Sequence, residues 1–514
     1  MKKIYGSAAA LAVAGVGAKL IGAMHKQPLN APLGAEGTGL YQLAMPVYAA
    51  VLMLMSGGSV AAVSRESARE GGRAISALKA GALLSLVAGT AGGAFLALAG
   101  GGIAALQGNA NAAPSYLALA PAVPLSCMLA SLRGWWQGRR NLMPTAVSQL
   151  SEQAVKLVCG LALASAMMPH GAAYAVAGAT LGITAGECAT CAVMLVAAVF
   201  SARKAGKEAE EKAVKVSDAL WRIVKDAVPI SLGALVLPAL ALTDSVMIVN
   251  ILTNGGISAS AATALYGAAS APASAIAGLP PMLTAAYAAA LLPVLTSGSE
   301  EEKRRATAST AGMAFLAGAA GAAVMIAFPR EITDVLYPSG PGEEEMRAAV
   351  TALRAAGVGT IFSCMKQITS ASLQAEGRAY VSALTMLGAG AVKAALTALT
   401  VRVFGAGGGA IATAAAYALS FAADAYFARK SLKRVSVPTF LKCSLAVAAG
   451  CFGGIAARFL PVEGALPVAI VCGSVFCLTT LLVLVITDTF GLAGKIATKA
   501  KIFGALFFNK TKKY

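Results

Sequence analysis

Residues 172–200 read AAYAVAGATLGITAGECATCAVMLVAAVF, and Glu187 is the one charged side chain among them. As an α-helix at about 1.5 Å per residue this stretch outruns the roughly 30 Å of hydrocarbon in a bilayer. Thirteen stretches of similar character lie near residues 7–24, 39–63, 78–100, 114–132, 146–168, 227–252, 264–294, 308–328, 352–373, 380–403, 408–428, 438–457 and 465–487. Short charged or glycine-rich breaks separate them. The reading is an all-α polytopic membrane protein of about 14 transmembrane helices. Composition agrees, since 58% of the 514 residues are apolar and 12% are charged, against about 25% charged in a soluble domain.

The chain carries 41 Lys and Arg against 23 Asp and Glu, a net charge of +18. A basic excess suits nucleic acid or a membrane surface, and its distribution decides. With the spans above, 31 basic residues fall on one side, from Lys2 and Lys3 through Arg65, Arg133, Arg203 to Lys225, Lys303 and Arg429 to Lys442, to the tail from Lys495 to Lys513. Four fall on the other, Lys26, Arg330, Arg347 and Arg458. The positive-inside rule then places both termini in the cytoplasm. The basic residues are spread over eight segments with no aromatic-and-basic module, so no nucleic-acid partner is expected. The nine cysteines lie in apolar spans and read as small hydrophobes; Cys188 and Cys191 form one CxxC with no second pair, so no metal site is expected. Lys19 interrupts the first apolar stretch, which reads as a span and not a cleaved signal.

Two connections are long. Residues 201–225 place Val216, Leu220, Ile223 and Val224 at helical spacing, which predicts an amphipathic helix at the cytoplasmic surface. Residues 329–349, on the external side, read as a solvated loop.

At an offset of 237 residues the chain matches itself. Ser126-Cys127-Met128 pairs with Ser363-Cys364-Met365, Gln137 with Gln374, Ala146 with Ala383, Leu150 with Leu387, and Ala154-Val155-Lys156 with Ala391-Val392-Lys393. A shift of six spans preserves orientation, so the repeats are parallel and a substrate site is expected between them. The expected organisation is a lobe over residues 1–200, an amphipathic linker over 201–226, a second pseudo-symmetric six-helix lobe over 227–430, two extra C-terminal helices over 431–490, and a basic cytoplasmic tail over 491–514.

A charge at the bilayer centre costs about 2.5 to 3.5 kcal/mol on insertion scales, so each should face protein or water. Gln149, Glu152, Gln153 and Lys156 fall at i, i+3, i+4 and i+7 on one helix face, with Glu152 four residues before Lys156. Thr360, Ser363, Gln367, Ser370 and Gln374 form a second polar stripe, with Lys366 beside it. Glu187, Arg354, Arg402 and Asp424 read as span-end charges that pair locally or reach the interface. Lys19, Lys156, Lys366 and Lys393 together suit a cationic cavity for an anionic substrate such as a diphosphate. Asp244, between Thr243 and Ser245, is the candidate site for a coupling proton or sodium ion. No catalytic residue and no cofactor beyond such an ion, or the membrane potential, is expected.

The segment Lys19-Leu20-Ile21-Gly22, followed by Leu33-Gly34-Ala35-Glu36-Gly37-Thr38-Gly39-Leu40-Tyr41-Gln42 and Pro46, resembles the start of the stage V sporulation protein B-like branch of the MOP flippase superfamily. Arg133-Gly134-Trp135-Trp136-Gln137-Gly138, Asn141, Pro144-Thr145-Ala146, Ser148-Gln149 and Glu152-Gln153 are similar to that family's connection between its fourth and fifth spans. Asp244-Ser245, Leu279-Pro280 and Pro293 are similar to its second lobe. The resemblance covers spans 1 to 12. It implies a V-shaped, two-lobed transporter of the bacterial cytoplasmic membrane, working as a monomer. Its substrate would be an undecaprenyl-diphosphate-linked cell-wall (lipid II-like) or polysaccharide precursor, moved outward by alternating access. By analogy with lipid II flippases, Lys19 occupies a first-span basic position, with His25 and Lys26 where a second basic residue is expected. A basic pair that often follows the aspartate of span 7 is replaced by Val249 and Asn250. The alternatives are a cation-coupled multidrug exporter of the same superfamily, disfavoured by the central lysines, and a membrane-embedded glycosyltransferase or polymerase, disfavoured by the lack of Asp-x-Asp.

Overall fold

The computed structural model describes residues 17, 22, 26–69, 73–204, 214–337, 341–429, 437–461 and 464–491. They form α-helices joined by short turns, with no strand among the described residues. In chain order the helices are α1 (Lys26–Ser56), α2 (Ser59–Ser67), α3 (Arg73–Leu106), α4 (Ala113–Leu119), α5 (Ala122–Gly138), α6 (Met143–Met167), α7 (Ala172–Lys204), α8 (Val216–Ala234) and α9 (Val236–Asn254). There follow α10 (Ala259–Ala277), α11 (Leu279–Ser297), α12 (Glu300–Ala327), α13 (Pro329–Leu336), α14 (Glu343–Ala375), α15 (Ala379–Phe404), α16 (Gly408–Phe427), α17 (Val437–Ala456) and α18 (Ala465–Ile486).

Among the described residues, 11 helical tracts are long and apolar enough to cross a bilayer, or 12 if the pair Ala110–Leu119 and Ala122–Gly138, bent by 42°, counts as one span. The difference from fourteen has two sources. The stretch 7–24 lies outside the described residues except for Gly17 and Gly22. The tract Ala379–Phe427 is counted once although it holds α15 and α16. The Thr400 hydroxyl donates to Gly408 O over 2.9 Å, whereas eight residues of unbroken helix would separate them by about 12 Å. The chain therefore turns back at Gly405, whose φ of 63° is open to glycine.

The chain divides into two compact units. Unit 1 comprises Met1–Ala271, Leu336–Ala348 and Ala394–Gly409. Its most extensive helix pair is the α6–α7 hairpin, which turns at Gly171, φ 106°. Gly178, Gly182 and Gly186 recur every fourth residue along one face of α7. A Cβ on Gly182 would stand 2.2 Å from Gly160 Cα, and one on Gly178 would stand 2.5 Å from Leu163 O. Without side chains in the seam the two backbones come into direct contact, the usual way apolar helices gain packing where no hydrophobic drive acts between them.

Helix α8 corresponds to the expected amphipathic segment, of which residues 205–213 lie outside the described residues. Its buried face is Ala219, Ile223 and Ala227, packed on Ala62 and Val63 of α2 and on Trp135 and Trp136 of α5. Val216 and Leu220 only border that cluster. The spacing suggested a helix at the membrane surface, but the partner is a protein surface, and of the expected stripe only Ile223 is fully buried, flanked one turn to either side by Ala219 and Ala227. Arg222 grips the Glu66 carboxylate at 2.9 to 3.2 Å through two nitrogens. That pairing with a side chain outside the span holds the Arg222 guanidinium above its ordinary value, the hydrogen bonds to Glu66 being the main cause.

Unit 2 comprises Pro272–Val335, Ala349–Lys393 and Ala410–Tyr514. Here α12 packs on α11 and α17, and α17 on α18, with Ala319, Val447 and Phe476 at one junction. Gly450 gives α18 the same kind of close approach, since a Cβ there would stand 2.1 Å from Thr480 Oγ1. The connection expected as a loop over 329–349 is largely helical. Pro329 opens α13, and Glu343, Glu344 and Glu345 fill the first turn of α14, where the helix dipole favours acidic side chains.

Candidate functional site

In unit 1, α5, α6 and α7 bring four charged side chains into one network. Lys156 Nζ lies 2.5 Å from Glu152 Oε1 and 2.8 Å from Glu187 Oε1. Arg133 Nη2 lies 2.5 Å from Glu152 Oε2, and its Nε donates to Ser148 Oγ over 2.9 Å. Glu152 is 7% exposed and Glu187 5%, so the four charges sum to zero in a nearly dry setting, as buried charges require. The Glu152–Lys156 contact is the i, i+4 pair that the spacing anticipates. The other two members differ from the sequence reading. Arg133, grouped there with a cytoplasmic loop, belongs to α5 and turns its guanidinium onto α6. Glu187, read as a span-end charge, lies near the middle of the 33-residue α7. The glycine seam makes this geometry. A Cβ on Gly186 would stand 2.5 Å from Lys156 Cγ, so the helix approach that excludes side chains at 186 delivers Glu187 to the ammonium.

The rest of that polar face is less committed. Gln149 Oε1 is buried and accepts no hydrogen bond among the described residues. Gln153 Oε1 lies 3.2 Å from the position a Cβ would take on Gly22. Lys19 and His25 fall outside the described residues, as does the side chain of Lys26 at the start of α1.

In unit 2 a second network centres on Asp424, fully buried on α16. Its Oδ2 accepts from Lys366 Nζ at 3.0 Å and Ser382 Oγ at 2.7 Å, and its Oδ1 from Thr385 Oγ1 at 2.5 Å. Lys366 also donates to Ser382 Oγ over 2.9 Å. Asp424 was expected near a span end, and it is three residues from the end of α16, yet it pairs inward and not at the interface. Lys393, on α15, is 2% exposed. Gln367 Nε2 donates to Pro281 O over 2.7 Å.

Asp244 lies on α9 in unit 1. A Cβ on Gly409 would stand 3.7 Å from its Oδ1. The flanking hydroxyls turn back onto their own helix, Thr243 to Ala239 O at 3.3 Å and Ser245 to Leu242 O at 3.0 Å. Ser245 Oγ also accepts from Gln107 Nε2 at 3.1 Å. Asn250, where the resemblance led to a basic residue, donates to Leu106 O over 2.7 Å and so ties α9 to α3.

Three of these side chains escaped the sequence reading as site members. For Arg133 the signal was its place at the head of the Arg133-Gly134-Trp135-Trp136 motif, directly after an apolar span. For Glu187 and Asp424 there was one, because the repeat offset of 237 maps one onto the other, so both halves carry an acid at the same position.

Comparisons with known proteins agree with this architecture. The stage V sporulation protein B of Bacillus subtilis (strain 168) is 24% identical over 343 residues, 64% of this chain and 66% of that protein, just under two thirds of its length. An uncharacterized membrane protein, YabM, of the same organism is 24% identical over 427 residues, 81% of this chain and 78% of that protein. Among solved structures, the lipid II flippase MurJ in an inward closed conformation superposes with a TM-score of 0.69 at 15% identity, covering 93% of this chain and 98% of that one. An inward-facing multidrug resistance MATE family transporter of the MOP superfamily gives 0.67 at 17% identity, covering 82% and 96%. The fold is thus that of MurJ and MATE proteins, a multi-pass helical membrane fold. The model of the polysaccharide biosynthesis protein family matches residues 6–299, more than half of the chain, and this protein belongs to that family.

Proposed function

We propose that this protein is an alternating-access flippase. Its cargo is an undecaprenyl-diphosphate-linked cell-wall or polysaccharide precursor, carried outward across the bacterial cytoplasmic membrane. The observation that carries the reading is coverage. The lipid II flippase fold spans 93% of the chain and the MATE fold 82%, a difference of about a tenth of the chain, which this reading assigns to α17 and α18. A polyprenyl tail needs an apolar path, and those two added helices supply apolar surface for one. Family membership and the relation to a sporulation protein support a precursor of the cell envelope as cargo.

In this reading residues 1–200 and 227–430 are the two lobes, 201–226 joins them, 431–490 adds the tail-binding hairpin, and 491–514 is a cytoplasmic tail. Lys19, His25 and Lys26 hold the diphosphate, the polar face of Gln149 and Gln153 meets the sugar, and Asp244 takes the coupling ion. Lys156, Lys366 and Lys393 set the positive potential of the interior, although Lys156 and Lys366 are each joined to carboxylates. The protein works as a monomer with both termini in the cytoplasm.

The test is outward exposure of lipid II in cells depleted of their own lipid II flippase. Expression of this chain restores exposure, and Lys19→Ala lowers it at least tenfold at equal membrane abundance. If inserted protein restores nothing for any polyprenyl-linked sugar, the flippase reading fails. Efflux of a lipophilic cationic dye by the same cells would instead favour the exporter reading that the MATE-like fold keeps open.

A further inference from the structure

The two buried networks differ in how well their acids are held. Both Asp424 oxygens are engaged, by an ammonium and two hydroxyls. Glu152 likewise has a cation on each oxygen, Lys156 on one and Arg133 on the other. Glu187 has less. Among the described residues its one cation is Lys156, which it shares with Glu152, and its other donor is the Ser126 hydroxyl, itself 3.2 Å from Tyr48 OH. The groups that face Glu187 can be named helix by helix. Helix α6 brings Glu152 and Lys156, α5 brings Ser126 and Cys127, and α1 brings Tyr48; Arg133 and Tyr41 stand one step back, against Glu152 and Lys156. On α7 itself Cys191 lies near it. Only Glu187 in this set is a carboxylate dependent on a cation that a second carboxylate already claims. Two acids sharing one ammonium is the arrangement in which one acid binds a proton most readily.

We infer that Glu187 is a proton-binding site whose occupancy releases Lys156 to bind an anionic headgroup. With Glu187 ionised the four charges cancel. When Glu187 takes a proton from water, the network carries +1, Glu152 is still neutralised by Arg133, and the Lys156 ammonium is available to an oxygen of a diphosphate. Departure of the anion restores the pair and returns the proton. The polar face beside it offers a further contact, since the buried Gln149 Oε1, two turns before Lys156 on α6, has no donor among the described residues and can accept from a headgroup hydroxyl. Proton uptake and anion binding are then reciprocally linked. The identity of the anion rests on the function proposed above; the proton site does not.

Two measurements separate these parts. Isothermal titration calorimetry of farnesyl diphosphate into the purified chain, in buffers of different ionisation enthalpy, counts protons taken up on binding. The native chain takes up more protons than Glu187→Gln by an amount approaching one. Its association constant falls with rising pH more steeply than that of the variant, by up to about tenfold per pH unit. The phosphate oxygens titrate equally in both and cancel. Glu187→Gln binds at least as tightly as the native chain at high pH, and Glu187→Gln combined with Lys156→Met loses that affinity. Equal proton uptake in native and variant overturns the inference. The second measurement is a pH-difference infrared spectrum of the ligand-free chain, in which the protonated-carboxyl band of Glu187 disappears in Glu187→Gln and shifts its midpoint to higher pH in Ser126→Ala. A band unchanged in both variants overturns the proton site. A band that behaves as stated, with no diphosphate bound at any pH, leaves the proton site standing and removes the diphosphate reading.

Discussion

Glu187 and Asp424 stand 237 residues apart, the offset at which the chain repeats itself, and each is a buried acid joined to a lysine. The lysines are not equivalent. Lys156 comes from α6, whereas the partner of Asp424 is Lys366 of α14, the counterpart of which in the first half is Leu129. The acid is common to both repeats and the countercharge comes from a different helix in each. A buried charge needs a partner but does not dictate which neighbour supplies it. Asp424→Leu leaves Lys366 buried without its carboxylate, and thermal unfolding of the solubilised protein should register a loss of about 3 to 5 kcal/mol, the usual cost of breaking one side of a buried pair. Adding Lys366→Met should recover most of it. Additive losses would show that the two residues are not coupled.

At the scale of the element, the α6–α7 hairpin is decided by what is absent from it. Gly178, Gly182 and Gly186 leave a groove in which Gly160 meets Gly182 backbone to backbone. Overpacking a filled contact costs about 1 to 3 kcal/mol. Gly182→Ala should therefore lower the unfolding midpoint by such an amount and, by forcing the helices apart, weaken the Lys156–Glu187 pair. Gly101→Ala on α3, where a Cβ meets nothing within 4 Å, is the matched control and should be neutral or slightly stabilising. Equal effects at the two glycines would refute the seam. Its every-fourth-residue spacing stands in the sequence in full view, but glycine is abundant, 55 residues in all, and only an opposing backbone 2.2 Å from where a Cβ would stand distinguishes a contact glycine from an idle one.

For the whole molecule, orientation is the property most directly open to measurement. The charge asymmetry predicts that Glu301, at the start of α12, is cytoplasmic and that Glu344, at the start of α14, is external. Both side chains are exposed. On a cysteine-free background, Glu344→Cys should react with a membrane-impermeant thiol reagent in intact cells and Glu301→Cys only after permeabilisation. The reverse pattern would invert the topology and with it the direction of transport proposed above.

Length, hydropathy and charge alternation are properties of the chain read one segment at a time, so the helical membrane class and the polar faces of α6 and α14 were legible from sequence. The Glu152–Lys156 pair was legible too, because both partners sit on one helix. Partners on different helices were not. Arg133, Glu187 and Asp424 reach their counterions only after helices pack, and packing is set by small residues whose meaning depends on what opposes them. The same holds for α8, where an apolar stripe suggested the membrane surface while Ile223, between Ala219 and Ala227, packs on protein. Sequence determined which segments leave water; tertiary structure alone decided which charges they meet there, because in a medium that cannot screen or solvate them each charge takes the nearest partner that the packing allows.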